Sequence, residues 1–147
     1  MSYTNLIYHI VYATKERAPL ISKSWRDDLH AYLGGAVRKQ DGIALEVGGG
    51  VDHVHLLAKI PPTTSISDFM SKLKAGSSSW GKQRSARPFA WQNHYAAFSV
   101  SESQVGGVQN YIRRQEEHHS AFSFEEEFKA LLRKHNIAFD ERYLWTK

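Results

Sequence analysis

The spacing of apolar positions changes several times along the chain, and each change marks an element. Leu6 to Ala13 is nearly all β-branched, aromatic and aliphatic, which predicts a strand buried on at least one face. From Pro19 to about Gln40 the period lengthens. Leu29, Tyr32, Leu33, Ala36 and Val37 recur at helical spacing, and Asp41-Gly42 closes the helix. Ile43 to Val47 and Val54 to Ile60 predict a second and third strand. Gly48-Gly49-Gly50 turns the chain between them into an antiparallel hairpin, and Pro61-Pro62 ends it. Ser65 to Trp80 predicts a second helix, capped by Ser65 or Ser67, burying Ile66, Phe69, Met70 and Leu73 and weakened at its end by Ser77-Ser78-Ser79. A fourth short strand runs from Ala96 to Ser101. A third helix spans Gln104 to His119, with Ser101 or Ser103 as cap. A fourth spans Phe122 to His135, with Phe124, Phe128, Leu131 and Leu132 at helical spacing. Tyr143-Leu144-Trp145 ends the chain with aromatics that need a surface to dock on.

The order β-α-β-β-α-β plus two helices predicts an α+β fold of the split βαβ, ferredoxin-like kind. One antiparallel sheet carries helices on one face, and C-terminal helices are added to it. The 147 residues suit a single domain over 1–147 with its own core. Cysteine is absent, which excludes disulfides and zinc–thiolate sites. No signal peptide or membrane-length apolar run is read in the sequence, so the expected location is cytoplasmic.

Candidate chemistry begins at Asp52-His53-Val54-His55. On a strand, residues two apart share a face, so His53 and His55 project together while Val54 points to the core. Two imidazoles side by side supply half of a divalent-metal site, although a half-exposed strand also tolerates such a pair. On the third helix, Tyr111 and Gln115 are one turn apart on one face. A tyrosine hydroxyl is a possible covalent nucleophile, and a glutamine carbonyl oxygen is a neutral hard ligand for Mg²⁺ or Mn²⁺. An ordinary amphipathic helix would show the same pair. His9, on the first strand, has a choice between site and sheet face.

The net charge of +4 and pI of about 9.3 favour polyanionic partners. Lys72, Lys74, Lys82, Arg84 and Arg87 fall in a stretch without acidic residues, with Trp80 inside it and Phe89, Trp91 and Tyr95 after it. Cations interleaved with aromatics suit single-stranded nucleic acid; a solvated basic face over core aromatics has the same pattern. Glu125-Glu126-Glu127 reads as a first helical turn favoured by the helix dipole.

Taken together, Asp52-His53-Val54-His55-Leu56-Leu57, Lys74-Ala75-Gly76-Ser77-Ser78, Ala97-Phe98-Ser99-Val100-Ser101, the run from Tyr111 to His119 and Tyr143-Leu144-Trp145 resemble the IS200/IS605-like transposases. These are single-tyrosine members of the HUH (His-hydrophobic-His) nucleases. The resemblance implies a metal-dependent transesterase on single-stranded DNA at hairpin-marked element ends. In it, His53, His55 and Gln115 hold Mg²⁺ or Mn²⁺ and Tyr111 forms a 5′-phosphotyrosine link. It also implies a homodimer in which one subunit's tyrosine helix completes the other's histidine pair, and Gly106-Gly107 suits a hinge for such a helix. Two other readings stand beside it: a domesticated hairpin DNA- or RNA-binding protein that no longer transfers strands, and a different phosphoesterase on a similar fold. The latter lacks a second His-x-Ser/Thr element.

Overall fold

The computed structural model describes residues 2–115 and 123–145. Its strands are β1 (Ile7–Ala13), β2 (Ile43–Gly49), β3 (His53–Lys59) and β4 (Ala96–Val100). Its helices are α1 (Arg26–Lys39), α2 (Ile66–Lys82), α3 (Val105–Arg113) and α4 (Phe124–Lys134). The sheet runs β2-β3-β1-β4 with every pairing antiparallel, as the split βαβ order requires.

Helices cover both faces of this sheet. Ile10, Tyr12, Val54, Leu56 and Ala58 point one way, against Leu29, Leu33 and Val37 of α1 and Phe69, Met70 and Leu73 of α2. On the other face, Val11, Ala13, Ala96 and Phe98 pack against Phe124, Leu131 and Leu132 of α4. Ile7 and Leu57 meet Ile112 of α3. Burial on both faces explains why β1 and β3 read as continuous apolar runs rather than alternating ones.

Several boundaries move. α1 starts at Arg26, not near Pro19, and α2 runs to Lys82 through the serine run. Ser77 does not weaken that end, because its hydroxyl is buried, donates to Leu73 O and accepts from Trp91 Nε1. Ser65 is the α2 cap, accepting from Asp68 N at 3.1 Å. Neither Ser101 nor Ser103 caps α3; a short 3₁₀ turn at Glu102–Gln104 leads into it instead. α3 ends at Arg113, with Arg114 as its C-cap, and the expected continuation to His119 lies outside the described residues. α4 starts at Phe124 behind a complete capping box of Ser123 and Glu126.

Two features bring α3 down onto β2. A bulge between Ala44 and Glu46 leaves Leu45 unpaired in the ladder, and the Leu45 carbonyl accepts from Gln109 Nε2 at 3.1 Å. Gly48 then passes directly under the helix: a Cβ there would lie 2.6 Å from the Ile112 carbonyl oxygen. Only glycine permits that approach. The terminal aromatic docks as expected, Trp145 packing on Phe124 and Phe128. Among the described residues, no helix is long and apolar enough to cross a membrane.

Candidate active site under the C-terminal helices

His53 and His55 share the β3 face turned toward α3 and α4, while Val54 enters the opposite core. Both imidazoles are completely buried, which a sheet face left open to water would not give. Each has its two ring nitrogens engaged. His53 Nδ1 lies 2.9 Å from Asp52 Oδ1, and its Nε2 lies 2.8 Å from Gln115 Oε1. His55 Nδ1 lies 2.8 Å from His9 Nε2, and its Nε2 lies 3.1 Å from Glu127 Oε1. Phe124 stacks on the His53 ring at 4.0 Å and closes that side.

Glu127 joins the remaining groups. Its Oε2 accepts from Gln115 Nε2 at 2.8 Å and from the Tyr111 hydroxyl, and its Oε1 is also 3.8 Å from His53 Nε2. Tyr111, His53, His55, Gln115 and Glu127 therefore meet within one chain. Gln115 reaches the cluster from beyond the end of α3, not from the next turn of a continuous helix.

The charges of the cluster follow from this packing. Burial would raise the Glu127 pKa, but hydrogen bonds and charge from His55, with bonds from Tyr111 and Gln115, hold it well below the carboxylate range. Burial first, then the Glu127 contact, pushes the Tyr111 hydroxyl above the ordinary tyrosine value. The shared hydrogen thus resides on Tyr111. His9 is pressed down to about 3, by burial first and the neighbouring His55 second, so it is neutral at physiological pH. A neutral His9 accepts a hydrogen from His55 Nδ1, and Asp52 accepts one from His53 Nδ1. With Nδ1 of each ring held from outside, Nε2 of His53 is directed at Gln115 Oε1 and Nε2 of His55 at Glu127 Oε1, so both Nε2 atoms face the same edge, the arrangement that outer partners impose on metal-binding histidines.

That edge is ringed by suitable donors. One ligand atom each from His53, His55 and Glu127 lies within 4.8 Å of the others, and Gln115 Oε1 touches the same edge. This buried group is able to hold a metal ion.

Glu127 was not expected here. As one of three successive glutamates it reads as a solvated helix start; Glu126 takes the capping role, while Glu127 is turned inward by the helical period and only 3% exposed. The signal available in the sequence was its place three residues after Phe124 and four before Leu131, on the apolar stripe of α4. His9 sits behind His55 as an outer partner, and His118-His119 lie outside the described residues.

The basic stretch divides. Lys72, Lys82, Arg84 and Arg87 are exposed along α2 and the loop after it. Lys74 is directed inward, donating to the Gln92 carbonyl and, at 2.9 Å, to the His94 carbonyl. Phe89 and Trp91 are core, and Trp80 is stacked on Tyr32 and covered by Arg84 at 3.9 Å.

Comparison with known proteins agrees with the topology. The family described as "Transposase IS200 like" matches residues 2–115. The transposase for insertion sequence element IS200 of Salmonella typhimurium is 36% identical over 74 residues, covering 50% of this chain. That match takes in 49%, about half, of the Salmonella protein. The ISDra2 transposase TnpA of Deinococcus radiodurans is 29% identical over 126 residues, covering 75% of this chain and 84% of that one. A solved Deinococcus radiodurans structure assigned as a transposase superposes with a TM-score of 0.62 at 27% identity, over 78% of this chain and 93% of that one. A REP-associated tyrosine transposase, solved bound to a REP hairpin, gives 0.61 at 11% identity over 81% and 72%, a likeness of fold. The match spans the histidine pair, Tyr111 and Gln115 and stops short of Glu127, and on its extent the chain belongs to the IS200-like transposase family.

Proposed function

We propose that the chain is a metal-dependent transposase that cuts and rejoins single-stranded DNA at hairpin-marked element ends through a 5′-phosphotyrosine intermediate. The observation that carries this reading is the convergence of the Tyr111 hydroxyl with two histidines, a glutamine and a glutamate in one buried cluster.

The donor set fits Mg²⁺ or Mn²⁺. Ligand distances of about 2.1 Å at right angles put neighbouring ligand atoms about 3.0 Å apart. His53 Nε2 to Gln115 Oε1, His55 Nε2 to Glu127 Oε1 and His53 Nε2 to Glu127 Oε1 are 2.8, 3.1 and 3.8 Å, and the ligand atoms of His53, His55 and Glu127 all lie within 4.8 Å of one another. Two nitrogens with two oxygens, and no sulfur, suit a borderline-to-hard ion. The all-neutral set expected from His53, His55 and Gln115 gains a carboxylate in Glu127. When bound, the ion would supply positive charge to the scissile phosphate, the departing 3′ oxygen and the Tyr111 oxygen.

The chain's own residues do the rest. Glu127 holds the Tyr111 hydroxyl by its hydrogen and fixes the direction of its lone pairs. Attack forms a Tyr111 O–P bond and breaks the P–O3′ bond. The tyrosine proton is balanced by the 3′-OH released, and the reverse attack by a 3′-OH rejoins strands without a nucleotide cofactor. His9 and Asp52 keep the two imidazoles in one tautomer, and Phe124 excludes water from the His53 face. Exposed Lys72, Lys82, Arg84 and Arg87 supply phosphate contacts for the DNA. A hairpin substrate accords with the REP hairpin held by the structural relative. In a homodimer, exchange of the tyrosine helix is not needed to bring these groups together.

The test is incubation with single-stranded DNA carrying the element's end hairpins, with Mg²⁺ or Mn²⁺, followed by a denaturing protein gel. A covalent protein–DNA band is expected in the wild type and absent in Tyr111→Phe. Tight binding with no such band in either metal would instead establish the non-cutting hairpin-binding protein.

A further inference from the structure

A cleft of about 590 Å³ opens beside the cluster. Its walls include His53 and Gln115, together with Lys23 from the turn before α1 and Arg26, the first residue of α1. Arg26 is 8% exposed and donates to the Ile21 carbonyl at 3.2 Å, so its charge is fixed in place by the fold. Lys23 is exposed at the mouth. Val51 and Phe124 give the cleft an apolar wall, Val51 being a large apolar side chain left 45% exposed at the hairpin tip. Gly50 keeps the floor low, since a Cβ there would stand 3.0 Å from His53 Cε1.

Asp52 also lines the cleft, with its Oδ1 taken up by His53 Nδ1 at 2.9 Å; two cations, an apolar wall and a histidine of the cluster in one cavity describe a nucleotide subsite. The cations suit a phosphodiester and the apolar surface suits an unstacked base. The size is that of a small-ligand site rather than of a duplex groove. We propose that this cleft holds the nucleotide next to the scissile phosphate, with Lys23 and Arg26 on its phosphodiester and Val51 against its base. The role rests on the nuclease reading above, and places the strand on the His53 side of the cluster.

The test uses the full-length protein and a labelled single-stranded oligonucleotide with a hairpin end. Two readouts are taken: binding by anisotropy, on a Tyr111→Phe background, and covalent adduct formation with Tyr111 intact. Lys23→Glu is expected to weaken binding roughly fivefold to tenfold and to lower the salt slope of log Kd by about one. Adduct formation is expected to show the loss in KM rather than kcat. Arg26→Lys is expected to act in the same direction, as a variant that keeps the charge but not the planar fork. A methylphosphonate at the linkage adjoining the scissile bond should cost the wild type as much as Lys23→Glu does, and should cost Lys23→Glu little more. Unchanged binding and KM in both variants would overturn the subsite. So would a Lys23 effect equal for methylphosphonates at every linkage, which reports charge alone. Failure of the nuclease reading looks different: no adduct in the wild type, with the Lys23 loss of binding still present.

Discussion

Glu127 changes what the histidine pair is able to do. Two neutral imidazoles and an amide would bind a divalent ion weakly, whereas a buried carboxylate adds a full charge at the same point. Glu127→Gln keeps the size and the Tyr111 contact but removes that charge. We expect Mn²⁺ affinity by calorimetry to fall roughly 10- to 100-fold, with the melting temperature little changed. An unaltered affinity would leave the carboxylate a purely structural acceptor. His30 gives a second prediction at this scale. Burial, its largest influence, lowers its pKa from 6.5 to about 4. Between these values the unfolded chain takes up a proton that the folded chain refuses, so this group's contribution is complete above about pH 6.5 and is lost as the pH falls toward 4. Urea melts from pH 7 to 4 should show a decline in stability. In His30→Asn the decline should be smaller by on the order of 2 kcal/mol.

At the scale of elements, α2 shows why a basic run is not a uniform surface. The helix presents Lys72 and Lys82 to solvent and turns Lys74 toward the loop of Gln92 and His94, where burial lowers its pKa to about 8. Lys72→Ala and Lys82→Ala should each reduce the salt slope of DNA binding by about one and leave thermal stability unchanged. Lys74→Ala should do the reverse: it removes a donor from two backbone carbonyls and should cost about 1–3 kcal/mol in a denaturant melt. A Lys74 variant as stable as the wild type would return this residue to the DNA face. The sequence showed the charges and their helix; which way each one points was decided by the loop packed against α2.

The whole molecule depends on its C-terminal helix even though the family match ends at residue 115. Phe124, Leu131 and Leu132 are buried against Val11, Ala13, Ala96 and Phe98. Burying three such side chains contributes about 5–9 kcal/mol as an upper estimate, comparable with the total stability of a small domain. A chain ending at residue 115 should therefore lose its cooperative thermal transition and expose a dye-binding apolar face. A transition within a few degrees of the full chain would show instead that α4 is an accessory. The same helix covers the histidines, so α4 supplies both the second core and the lid of the site.

Local patterning determined the elements, their order and the pairing of His53 with His55, because strand and helix periods act over a few residues and leave their mark on them. It also placed Tyr111 and Gln115 near one another, since they are close in sequence. The tertiary structure decided the rest. Glu127 is 72 residues from His55, and only the docking of α4 on the sheet brings its carboxylate to the imidazole. His9 reaches the same imidazole because β1 pairs with β3. The inward turn of Lys74 and the cleft beside His53 likewise come from packing between segments apart in the chain. No local period encodes which neighbour a side chain meets once the two faces of the sheet are covered.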